Sequence, residues 1–286
     1  MSSTNPNKLY QKLFTGLKKK FCCNEVDNLL EYSRKRIDKN DNKNIVRFVC
    51  ISDIHTPSRI RKERIPWQFP QGDVLLVAGD LTMRGSAREV SQVVDWLRDT
   101  PYSHRVVIAG NHDFCLDPQD DDYSPEAEAA LQRECIYLRD SSVVLFDSLK
   151  IYGSPVTPEF HSMAFNVARG SDIEQVWSSI PEDTDILLTH GPPLGHGDLV
   201  HNGIRAGCAD LLMRVSQVRP AYHVFGHIHE AYGVTTDGYT AFVNAACCNL
   251  RYFLEHQPLV FEFAVAEPQQ KPSLDEQLES GLSLGN

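Results

Sequence analysis

Five short apolar runs in this 286-residue chain stop on side chains that can bind metals, and no other feature constrains its folding as much. Ile45–Ser52, Val74–Ala78, Arg105–Ala109, Ile186–Thr189 and Tyr222–Phe225 lead into five polar blocks: Asp53-Ile54-His55, Gly79-Asp80, Gly110-Asn111-His112-Asp113, His190-Gly191 and Gly226-His227-Ile228-His229. Apolar runs of this length read as buried strands, which puts each polar block at a strand end. Residues i and i+2 of a strand point the same way, so Asp53 with His55, and His227 with His229, are expected to present two ligands in one direction. The glycines at 79, 110 and 226 allow sharp exits and close backbone approach.

Three further runs, Val143–Phe146, Thr240–Asn244 and Leu259–Val265, also read as strands. Helical patterns lie between them at Ser86–Arg98, with a Ser/Glu capping box, Ser124–Glu134, Ser171–Ser179 and Cys208–Val218. Strands alternating with helices predict an α/β layered domain over residues 45–266. Apolar residues spaced by about four over residues 7–36 predict one or two amphipathic helices in an N-terminal extension, residues 1–44. Residues 267–286, rich in Pro, Gln, Ser and Gly, predict a loose tail.

Carboxylate, imidazole and amide oxygen without thiolate suit Mn²⁺, Fe or Zn²⁺. Seven such groups, Asp53, His55, Asp80, Asn111, His190, His227 and His229, exceed what one ion with an open position uses. Two divalent ions sharing a carboxylate fit the count. Such a pair, roughly 3.5–4 Å apart, serves in-line displacement at phosphorus.

The ordered set D-x-H, G-D, G-N-H-D, H-G and G-H-x-H resembles the signature of the calcineurin-like metallophosphoesterases. The run Thr189-His-Gly-Pro-Pro-Leu194, followed by His223 to Gly233, is similar to the metallophosphoesterase domain-containing phosphodiesterases. The likeness covers about residues 45–265. It implies a four-layer α/β/β/α sandwich of two mixed sheets with flanking helices. It also implies one metal on Asp53, His55, Asp80 and His229, a second on Asp80, Asn111, His190 and His227, and Asp80 as the bridge. His112 is then the non-ligand histidine that protonates the leaving oxygen, and Asp113 supports it. The implied activity is hydrolysis of small phosphodiesters such as cyclic nucleotides. The alternatives are a phosphoprotein (Ser/Thr) phosphatase and a nucleotide-binding scaffold with vestigial activity. His196, Asp198 and His201 follow the His190 block and are candidates for the substrate pocket; Asn202, Arg205 and Tyr232 are weaker ones.

Charge narrows the partners. The chain carries 28 Lys+Arg and 38 Asp+Glu, net −10, while residues 1–44 hold ten basic and five acidic side chains. The remainder is strongly acidic, which disfavours long nucleic acids as partners. No apolar stretch of about 18 residues occurs, so neither a signal peptide nor a membrane span is expected. Lys18-Lys-Lys-Phe-Cys-Cys23 leaves peripheral membrane contact through residues 1–44 as a lesser reading. Eight cysteines without CxxC spacing, four of them in adjacent pairs, predict a reducing, cytoplasmic setting.

Overall fold

The computed structural model describes residues 24–37, 44–55 and 67–265. The helix expected before residue 24, Cys22, Cys23 and the tail 267–286 lie outside the described residues.

β2 (Asn44–Ile51), β3 (Val74–Ala78), β4 (His104–Ile108) and β5 (Ile136–Tyr137) run parallel, and β14 (Leu259–Val265) pairs antiparallel with β2, giving sheet order β14-β2-β3-β4-β5. The second sheet has the order β1-β12-β13-β11-β10-β7-β6. Its parallel centre consists of β7 (Leu149–Ser154), β10 (Ile186–Thr189), β11 (Tyr222–Phe225) and β13 (Ala241–Asn244). Antiparallel flanks are added by β6 (Ser141–Leu145), β12 (Gly233–Thr236) and β1 (Asn24–Glu25). β8 (Thr157–Pro158) and β9 (Asn166–Val167) form a small separate pair.

Alternation along each strand sorts the layers. In β2, Phe48 and Cys50 enter the core between the sheets, while Val49 and Ile51 pack on the opposite face with α2 (Ala87–Arg98) and α3 (Pro125–Glu134). Both faces are therefore apolar, which is why these strands read as continuous runs. The second sheet buries Leu187, Phe225 and Phe242 against Ile173 and Trp177 of α4 (Ser171–Ser178) and Leu211 and Val215 of α5 (Ala209–Val218). The result is the expected four-layer sandwich. α2 begins at the predicted capping box, with the Ser86 hydroxyl accepting from Glu89 N and the Glu89 carboxylate accepting from Ser86 N. It buries Val90, Val93, Val94 and Leu97 on one face, each contributing about 1.5–3 kcal/mol.

β7 carries no clear strand pattern, yet it lies at the parallel centre of its sheet. Leu149-Lys-Ile-Tyr-Gly-Ser looks broken by polar groups, but these are satisfied at the rim: Lys150 pairs with Asp183, and the Tyr152 hydroxyl bonds Ser179 Oγ at 2.9 Å. Its glycine reflects crowding, since a Cβ at Gly153 would lie 2.6 Å from Leu138 Cβ.

Part of the N-terminal extension is built into the sandwich. β1 extends the larger sheet, and α1 (Leu29–Arg36) packs beside β14. Glu262 on β14 receives hydrogen bonds from Arg34 (2.8 and 2.9 Å) and Arg47 (2.7 Å). The hydrogen bond from Arg34, then those from Arg47, outweigh burial and hold the Glu262 carboxyl down to about 2, against an ordinary 4.5. The pairing therefore stabilises the fold fully above pH 4.5, and the contribution is lost as pH falls towards about 2. Glu262→Gln should be less stable than the native chain at pH 7, with the gap closing on acidification in urea titrations across that window. A gap independent of pH would refute this account.

Candidate metal centre

Parallel register sets the C-terminal ends of the strands side by side: Ile51 lies opposite Val77, and Ala78 opposite Ile108. The two sheets meet at this edge through the Ser52–Ala246 bridge, where Ser52 N donates to Ala245 O at 2.9 Å and Cys247 N donates to Ser52 O at 2.8 Å. All five polar blocks consequently converge on one cleft.

They do so through strained turns. Asp53, His55, Asp80 and His227 have φ of 52°, 43°, 50° and 69°, a region that ordinary side chains occupy at a cost of about 1–2 kcal/mol each. Such strain concentrates at functional sites. The i, i+2 strand geometry expected for the histidine pair does not hold: β11 ends at Phe225, and the positive φ at His227 turns its side chain towards Asp80 and His190, while His229 faces Asp53 and His55. Gly226 and Gly110 are required by contact. A Cβ would fall 2.0 Å from Asp53 Oδ2 at the first and 2.3 Å from Asp80 Oδ1 at the second.

Three groups emerge among the described residues, each able to hold a cation: Asp53, His55 and His229, all buried; His55, Asp80 and the half-buried His112; Asp80, His190 and the half-buried His227. Asp80 joins the last two, with Oδ1 3.2 Å from His190 Nε2 and Oδ2 3.5 Å from His55 Nε2. Asn111 turns its Oδ1 to His190 Nε2 at 2.9 Å.

The imidazoles are oriented from behind. Nδ1 donates to a backbone carbonyl in His55 (Thr82 O, 3.2 Å), His190 (Ala78 O, 2.8 Å), His229 (Asn249 O, 3.0 Å) and His112 (Met83 O, 2.9 Å). With Nδ1 anchored in this way, the Nε2 atoms point inward, as in metal-binding histidines. These Nε2 atoms gather around the two aspartates: His55 Nε2 and His229 Nε2 are 3.2 Å apart, and His190 Nε2 lies 2.9 Å from Asn111 Oδ1 and 3.2 Å from Asp80 Oδ1. The donor set therefore fits divalent ions and no thiolate joins it.

A family model described as calcineurin-like phosphoesterase matches residues 46–231. The chain belongs to that family. It is 43% identical over 236 residues to metallophosphoesterase domain-containing protein 1 of Homo sapiens, covering 76% of this chain and 70% of that protein. It is 41% identical over 256 residues to a UPF0046 protein of Caenorhabditis elegans, covering 80% of this chain but only 63% of the worm protein. The solved structure of phosphopantetheinyl hydrolase from Mycobacterium tuberculosis matches 78% of this chain and 97% of its own, with TM-score 0.50 and 14% identity, a likeness of fold alone.

The electrostatics of this calcineurin-like phosphoesterase follow from the packing. Burial opposes ionisation of Asp53, but the hydrogen bond and charge of His229 overcome it and hold the carboxyl at about 2. Burial likewise opposes ionisation of Asp80, but the charge and hydrogen bond of His190, together with the charges of His55 and His112, hold it well below the carboxylate range. His190 resists burial through Asp80 and then Asp53, and is pushed up to about 9. Burial dominates at His55 and His227 and lowers each to about 4.

Asp113 does not enter the three groups. Its buried carboxylate accepts from Leu81 N (3.1 Å), Thr82 N (2.8 Å), Thr82 Oγ1 (2.7 Å) and Gly110 N (2.8 Å), stitching the Asp80 turn to the Asn111–His112 turn. Burial, then the Asp80 charge, push it up to about 6 against those donors.

The pocket candidates after His190 are engaged in contacts apart from the three groups. His196 stacks on Phe242 with centroids 3.7 Å apart and meets Thr235 Oγ1 at 2.9 Å. Asp198 pairs with Arg205 and accepts from Gly195 N and Gly207 N, while His201 contacts Glu230 on the surface. Tyr252 carried no motif, yet its ring lies 4.8 Å from His55 and 5.4 Å from His229. Among the described residues, no helix is long and apolar enough to cross a membrane.

Proposed function

We propose that this chain is a two-metal phosphodiesterase that hydrolyses small phosphodiesters such as cyclic nucleotides. The observation that carries the reading is Asp80, whose two oxygens face histidines of two separate groups. Asp53, His55, Asp80 and His229 would hold one ion, and Asp80, Asn111, His190 and His227 the other. Two bound divalent ions, Mn²⁺ first, with Fe or Zn²⁺ as alternatives, would activate water and neutralise charge at phosphorus. His112 is half-buried beside this pair, its ring 4.6 Å from that of His55. With Nδ1–H donating to Met83 O, its Nε2 is the atom that, in the imidazolium form, would hand a proton to the departing alkoxide and return to a lone pair. Asp113 keeps the two turns in register. A reducing, cytoplasmic setting suits this reading, because the six described cysteines are buried free thiols.

The test compares an aryl phosphodiester, an aryl phosphomonoester and 2′,3′- and 3′,5′-cyclic nucleotides with Mn²⁺-loaded protein. Diesters should be preferred. His112→Gln should slow cyclic-nucleotide hydrolysis by about 10²–10³-fold but the nitrophenyl diester by less than about tenfold, because nitrophenolate departs without a proton. Preference for monoesters would make the chain a phosphatase, and nucleotide bound without product would make it a scaffold. Equal losses on both leaving groups would remove His112 as the proton donor.

A further inference from the structure

On the loop after β13, Leu250, Tyr252 and Phe253 stand 55%, 43% and 65% exposed within four residues. An aromatic side chain at φ 59° is costly, and Tyr252 adopts it because Asn249 locks the turn. The Asn249 Oδ1 accepts from Arg251 N (2.8 Å) and Phe253 N (3.2 Å), and its backbone carbonyl accepts from Tyr252 N (2.9 Å). The same carbonyl accepts the His229 Nδ1 proton at 3.0 Å. One residue thus sets both a cluster histidine and the ring that overlies it. The Tyr252 ring stands edge-on to His55, His229 and His112, at 4.8, 5.4 and 6.0 Å between centroids, with one side of the residue open to solvent.

We infer that Tyr252 is a specificity-determining residue: with Phe253 it forms a wall that receives a planar aromatic ester substituent, such as a nucleobase, of the phosphodiester held beneath it. A phosphoryl group among His55, His112 and His229 would direct one substituent past this ring, which lies within 6.0 Å of all three histidines. Base-on-ring stacking tolerates many ring types, so the wall selects aromatic over aliphatic substituents without reading a sequence or a particular base. The inference rests on the phosphodiesterase reading above.

The experiment measures kcat/KM for a phenyl-bearing and a methyl-bearing diester with the same leaving group, in native protein, Tyr252→Phe and Tyr252→Ala. The aromatic-over-alkyl ratio should fall about tenfold in Tyr252→Ala, chiefly through KM, and be kept in Tyr252→Phe. An unchanged ratio, equal losses on both substrates, or a Tyr252→Phe variant as impaired as Tyr252→Ala would overturn the inference. Calorimetric titration of Mn²⁺ should show native affinity in Tyr252→Ala; weakened metal binding would reduce the residue to a support for His229. If native protein turns over no diester, the proposed function fails separately. The wall is then judged by binding of adenosine monophosphate against ribose 5-phosphate to Mn²⁺-loaded protein. The base should tighten binding about tenfold in native protein and not in Tyr252→Ala, and no gain in native protein would overturn it.

Discussion

Asp80→Asn should lower Mn²⁺-supported phosphodiester hydrolysis by about a thousandfold or more. The substitution keeps the size of the side chain and removes its charge. That charge serves both groups at once, since Oδ1 faces His190 and Oδ2 faces His55, and Oδ1 also accepts from His112 N at 2.9 Å. Losing charge stabilisation worth several kcal/mol corresponds to about three orders of magnitude in rate. A change at Asn111 or His227 touches one group only and should cost less. Turnover is measured alongside metal content, and Asp80→Asn should retain fewer than two equivalents. Two equivalents bound with turnover within tenfold of native would refute the shared role.

The second large effect is on stability. Asp113→Ala removes an acceptor shared by four buried donors, of which Thr82 Oγ1 keeps a second one in His112 O at 3.2 Å. Each buried donor left unpaired costs about 1–3 kcal/mol, and relaxation recovers part of the sum, so a loss of about 4 kcal/mol is expected. Thr82→Val, which removes one of those hydrogen bonds, should cost about 1 kcal/mol. Because the same turns carry Asp80, Asn111 and His112, turnover should fall in parallel with stability in Asp113→Ala. Urea denaturation of the metal-free proteins gives both values, and a loss below 1 kcal/mol for Asp113→Ala would show that the turns hold without it.

How far the sequence could be read depended on what each residue interacts with. The apolar runs leading to Asp53, Asp80, Asn111, His190 and His227 were visible as strands because both faces of each sheet are covered, so few polar residues interrupt them. β7 was hidden because Lys150, Tyr152 and Ser154 satisfy their polar groups with partners distant in sequence, namely Asp183, Ser179 and Asp140. Metal-binding residue types announced the cleft by order and spacing. Tyr252 had no such mark, since an exposed aromatic residue in a loop is ordinary until the fold sets it over His55. His196 and Asp198 are the converse: polar residues near a motif that are taken up by other neighbours, Phe242 of β13 and Arg205.

By itself the sequence determined the layered α/β architecture, the five blocks and the chemical character of the site, because these depend on local periodicity and on residue type. Residue type and periodicity left open which group each histidine joins; the family resemblance implied His229 in one and His227 in the other, and the physical reason for that division lies in three dimensions. The alternation of a strand would send His227 and His229 the same way, and a single left-handed φ at His227 divides them between two groups. Such a conformation costs energy locally and is held only by long-range contacts, here the hydrogen bonds from His227 N to the Asp53 carboxylate at 2.9 and 3.1 Å, across 174 residues of chain.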